Sequence, residues 1–172
     1  LYDTYMPLFY YVSAGLSLPF NGNAMWGTKL SIALSLILSS LAMYYFLLEF
    51  VSNRFIASVG AVFYVIAPPH ILVLTDFGSL TYSFAYIFLP AVFLFIERAV
   101  KRKDSSSAIL GGVFFGLLLL SNIPTAYGTG LMLVVDFLSS AILLRNLRRV
   151  LLIIGIAVAV GMSISAFWWL LY

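Results

Sequence analysis

The chain has 172 residues, 63% of them hydrophobic and only 9% charged, with a mean hydropathy of +1.10. A soluble domain carries roughly 25% charged residues, so this composition excludes a solvated globular surface and the chain reads as an integral membrane protein. The net charge of +3 sits in loops, which speaks for membrane orientation and against a nucleic-acid partner, and the lack of cysteine excludes a disulfide framework or a cysteine-ligated metal.

The apolar runs are continuous rather than alternating, which argues for helical spans and against a β-barrel. Residues 1–27 are aromatic, too short to cross and interrupted by Pro7 and Pro19. They are expected to form an interfacial or re-entrant segment. The first span is placed at 28–50, between Lys29 and Glu49, and the second at about 55–74, containing Pro68 and Pro69. The third, 79–100, runs into Lys101, Arg102 and Lys103. About 40 residues follow before Arg145, long for one crossing, and Asn122-Ile123-Pro124 with Gly128 punctuates them into spans 106–121 and 125–144. The sixth span is 150–172. The expected fold class is an all-α polytopic bundle in a single transmembrane domain. Because the chain starts on the outer side and stops at the end of a span, it reads as a fragment of a longer protein.

Eight of the nine Lys and Arg residues fall on one side in this arrangement, leaving Lys29 opposite. The positive-inside rule makes those loops cytoplasmic and the protein a multi-pass protein of the cell membrane. Trp26, Trp168 and Trp169 then line the outer interface. Helix contacts are expected along Ser31, Ser35 and Ser39, at Gly112 and Gly116, and along Ala157, Gly161 and Ser165, because small residues let backbones approach closely in lipid.

The stretch FYVIAPPHILVLTDFGSLTY, 63–82, carries the chemistry. Proline removes a donor and clashes with the preceding turn, so the helix should end or kink at Ala67 and leave a polar ledge near the outer face. His70 is a candidate general base or phosphate contact, or an interfacial hydrogen-bonding histidine. Asp76 is a candidate catalytic carboxylate, or simply favours the positive end of the next helix. Lys29 and Tyr82 are the candidates for lipid-phosphate binding; a lysine snorkelling at a helix end is the plainer reading of Lys29. Asp136 falls inside a span, open to a proton-coupled role or a structural bond. No HExxH, P-loop, GxSxG or EF-hand pattern is present, and the Asp-Phe-Gly triplet lacks the companions of a kinase motif.

The order of these elements resembles GT-C-type multi-pass glycosyltransferases, and in particular the prokaryotic branch labelled 6-pyruvoyl-tetrahydropterin synthase-related membrane domain. Over about residues 5–130 the shared features are Pro7-Leu8-Phe9-Tyr10-Tyr11, Met43-Tyr44, and Tyr64 with Pro68. The resemblance implies an enzyme that transfers a sugar from a polyprenyl-phosphate donor at the outer face. It places the catalytic carboxylate in the first outer loop, of which Asp3 is the acidic residue present here. Where related sequences carry an Arg-Gly and a later Glu, this chain has Phe77-Gly78 and Thr81. No cofactor is fixed by the sequence; a divalent metal ion is the alternative to Lys29 for stabilising the leaving phosphate. The pterin label finds no histidine cluster for zinc, since His70 is the single histidine. The rival reading is a transporter or lipid flippase built on Asp136 and the broken second span, and a third is a non-catalytic membrane subunit.

Overall fold

The computed structural model describes residues 6–75, 79–144 and 147–170. Within them the chain is an all-α bundle with no strand: α1 (Leu8–Ser17), α2 (Ala24–Val51), α3 (Arg54–Ile66), α4 (Pro68–Thr75), α5 (Leu80–Arg102), α6 (Ser105–Ser121), α7 (Ile123–Leu144) and α8 (Leu147–Trp169). Among the described residues, four stretches are long and apolar enough to cross a membrane: Ala24–Val51, Arg54–Leu72, Leu80–Arg102 and Arg148–Trp168. The molecule is therefore a membrane protein whose exposed apolar faces meet lipid.

Three turns share one device: a residue in the left-handed region, then an Asn or Asp that caps the next helix. Gly22 (φ 74°) precedes Asn23, Ser52 (φ 53°) precedes Asn53, and Lys103 (φ 61°) precedes Asp104. Asn53 Oδ1 accepts from the amides of Phe55 and Ile56 at 3.0 and 3.2 Å. Asp104 accepts from the Ser106 and Ser107 amides and from the Ser107 hydroxyl at 2.7 Å. These bonds, the Ser107 hydroxyl first, hold the Asp104 carboxyl below its ordinary value. Asn122, extended at the end of α6, accepts from the amide and hydroxyl of Thr125 and starts α7, so the expected break within 105–144 is present.

Among the described residues, the Lys and Arg residues other than Lys29 gather at one end of the bundle. Glu49, closing α2, binds Arg98 Nε at 2.8 Å and Arg102 Nη2 at 3.5 Å near the end of α5, while Arg149 of α8 reaches the Lys103 carbonyl. We call this the basic end and its opposite the far end.

Helix α5 is the central element. Of its apolar window, 61% is buried, against 17–28% in the other three spans. It can therefore carry Thr81, Ser83 and Pro90 in its interior, where protein rather than lipid meets their polar groups. Phe84 and Phe88 form the core with Phe115 and Leu118 of α6 and Phe9 of α1. Ser31, Ser35 and Ser39 of α2 are fully buried, and Ser35 bonds Ser83 of α5 at 3.0 Å. Against α8, a Cβ on Gly112 would stand 2.6 Å from the Ala157 carbonyl, and one on Gly116 2.9 Å from that of Gly161. The small-residue stripes are thus contact faces.

Ten residues of α1 extend about 15 Å, half of a bilayer core. Its Phe9 meets Phe84 edge-on at 5.7 Å, the Ser13 carbonyl presses on Gly27 of α2, and Ser13 Oγ lies 3.4 Å from Thr28 Oγ1. The first segment therefore docks on α2 and α5 at the far end and does not lie free on the lipid.

Candidate functional site

Helix α3 rises from the basic end for 13 residues, about 20 Å, and stops at Ile66. Ala67 turns extended (φ −55°, ψ 137°) and α4 restarts at Pro68 with proline in its first turn, where the missing N–H costs least. The break thus lies inside the hydrocarbon depth, and the backbone groups it frees must find partners within the protein.

Two prolines orphan two carbonyls, each four residues upstream: Tyr64 below Pro68, and Tyr86 below Pro90 of α5. The Tyr64 hydroxyl donates to the Tyr86 carbonyl at 3.0 Å, supplying the bond that Pro90 cannot. The Tyr64 carbonyl faces the His70 imidazole. That imidazole is 1% exposed and stacks on the Tyr86 ring at 4.4 Å, with Tyr64 edge-on at 5.9 Å. Neither ring nitrogen completes a hydrogen bond of good geometry with a described residue. A buried polar group left this way costs about 1–3 kcal/mol, which makes His70 the most conspicuous polar atom pair at this end of the bundle.

Tyr82 extends the cluster toward the far end, its ring 5.6 Å from Tyr86. Two of the expected site residues, His70 and Tyr82, are thereby joined through Tyr86. Lys29 occupies another neighbourhood: it is exposed and lies over Trp26 at 5.5 Å, and Trp26 stacks on Phe20 at 5.5 Å. Helix α4 packs on α3 and α5 and, among the described residues, does not touch α1 or α2. Asp3 and Asp76 lie outside the described residues, as does Arg145. Among the described residues no three His, Cys, Asp or Glu side chains come together as a metal site.

A family model described as 6-pyruvoyl-tetrahydropterin synthase related domain, membrane protein, matches residues 2–171. The chain belongs to that family. No curated protein and no solved structure matches it.

In this 6-pyruvoyl-tetrahydropterin synthase related membrane domain a second polar group lies toward the basic end. Asp136 of α7 lies in the neighbourhood of Glu97 of α5, which Lys101 engages at 3.4 Å. Asp136 is only partly buried, and its polar neighbour comes from α5. Sequence reasoning singled out Tyr64 only as part of a family motif, and passed over Tyr86 and Glu97. A signal for the tyrosines was there: Tyr-x-x-x-Pro occurs twice, at 64–68 and 86–90.

Proposed function

We propose that this domain belongs to a GT-C-like glycosyltransferase that moves a sugar from a polyprenyl-phosphate donor to an acceptor hydroxyl at the far end, with the basic loops cytoplasmic and six crossings in all. The observation that carries the reading is the His70–Tyr86–Tyr82 cluster at the broken span: a buried imidazole stacked on a phenol ring that a second phenol adjoins, at the end of the bundle where the aromatic helix α1 docks. Stacked rings suit a sugar face, and the imidazole offers a donor or an acceptor to a hydroxyl or phosphate. In the reaction the acceptor oxygen attacks the anomeric carbon, the lipid phosphate departs with the bonding pair, and a carboxylate takes the acceptor proton. Asp76 and Asp3 are the candidates for that carboxylate; Lys29 or a divalent cation would meet the leaving phosphate.

The test is transfer from a polyprenyl-phosphate hexose by the intact protein in proteoliposomes. Asp76→Asn should lose about 100-fold or more, the range for a general base, and His70→Ala should lower transfer without unfolding the bundle. Full transfer by both variants would refute this site.

Asp136, an ionisable group inside a span with Glu97 of α5 in its neighbourhood, favours a second reading, proton-coupled transport. Under that reading Asp136→Asn abolishes proton-dependent uptake of solute into vesicles. Under the first it leaves sugar transfer unchanged.

A further inference from the structure

A cavity of about 480 Å³ opens on the lipid-facing side of the bundle between α2, α5 and α6. It follows α5 from Ile87 to Arg98, about 16 Å at 1.5 Å per residue. Ala42 of α2 and Ala91 of α5 line it where larger side chains would close it, and Phe88 and Phe114 add aromatic wall. Its lining is apolar along the length and becomes polar with Tyr45 and Arg98, at the basic end.

The charge at that end is unbalanced. Two guanidiniums, Arg98 and Arg102, share the single carboxylate of Glu49. The tighter contact uses Arg98 Nε, and a guanidinium carries further donors on Nη1 and Nη2 suited to a phosphate. Glu97 is engaged by Lys101 and does not relieve the surplus. An apolar slot of chain-like length that ends in excess positive charge at the membrane surface fits one class of occupant. A neutral helix would leave the guanidinium unanswered, whereas an anionic lipid satisfies both parts. Basic pockets between spans are a general means of holding acidic head groups.

We propose that this groove binds an anionic glycerophospholipid of the leaflet on the basic side, one acyl chain lying between Ala42 and Ala91 and the head-group phosphate on Arg98. The site is separate from the His70 cluster, so it stands or falls independently of the transferase reading.

The experiment is native mass spectrometry of the intact protein, counting retained dioleoyl-phosphatidylglycerol against dioleoyl-phosphatidylcholine offered at equal concentration. The wild type should retain one phosphatidylglycerol in preference to phosphatidylcholine. Arg98→Gln should weaken retention about fivefold or more, the value of one basic residue at a membrane surface. Leu41→Trp, which fills the groove from a half-exposed position and so leaves the core packing alone, should do the same. Glu49→Gln, which releases the guanidinium, should keep or raise retention. Equal retention of phosphatidylcholine, or no effect of Leu41→Trp, would overturn the proposal. So would loss on Glu49→Gln, since retention would then follow the ion pair. Displacement by polyprenyl phosphate, or a lipid-free dimer closing the groove, would also reject it in favour of another occupant.

Discussion

Pro90 deprives the Tyr86 carbonyl of its donor, and the Tyr64 hydroxyl takes the vacant place at 3.0 Å. Both tyrosines lie four residues before a proline, so each proline leaves a carbonyl without its helical donor, and the Tyr64 hydroxyl serves the one below Pro90. In lipid such a repair matters because no water can stand in. Tyr64→Phe should therefore destabilise the protein by about 1 kcal/mol, the scale of side-chain bonds inside membrane bundles. Pro90→Ala restores the backbone donor, and in that background Tyr64→Phe should cost much less. Thermal melts of the four proteins in one detergent form the double-mutant cycle; equal losses in both backgrounds would show that the hydroxyl does not replace the proline's missing bond.

The helices themselves meet through residues chosen for smallness. On α6, Gly112 leaves no room for a methyl group because the Ala157 backbone stands where its Cβ would go. Gly112→Ala should cost about 1–3 kcal/mol through overpacking. Gly155, on the same partner helix α8, has nothing within 4 Å of its Cβ direction. Gly155→Ala should be neutral or stabilise by up to about 1 kcal/mol, since it gains helix propensity at no steric cost. A similar loss at both positions, read from denaturation midpoints, would mean that helix propensity and not the α6–α8 approach governs these glycines.

For the whole molecule, the chain's lack of cysteine allows a direct reading of topology from single-cysteine variants. Cysteines placed in 51–54, 101–105 and 145–149 should escape an impermeant maleimide added to intact cells, while ones at Gly22 and Asn122 should react. The asymmetry follows from eight basic residues against one. Reaction of the basic loops would invert the membrane orientation and move the His70 cluster to the cytoplasmic side.

Membrane residence and helical class were legible in the residues, because each depends on local quantities. Burying about 20 consecutive apolar residues dictates a span, Asn53 and Asp104 cap whichever helix follows them, and Pro68 breaks the helix that precedes it regardless of its surroundings. The stripes of glycine and serine announced contact faces but not their partners. Tertiary structure decided that α5 is the enclosed helix, that the Tyr64 hydroxyl reaches the Tyr86 carbonyl across 22 residues, that Glu97 and Asp136 share a neighbourhood, and that Lys29 rests on Trp26 rather than in the aromatic cluster of His70. Apart from the doubled Tyr-x-x-x-Pro, nothing in a linear pattern distinguishes these outcomes, because in lipid hydrophobicity no longer sorts inside from outside. Which faces meet is left to close packing and to the pairing of the few polar atoms, and both are properties of the assembled bundle.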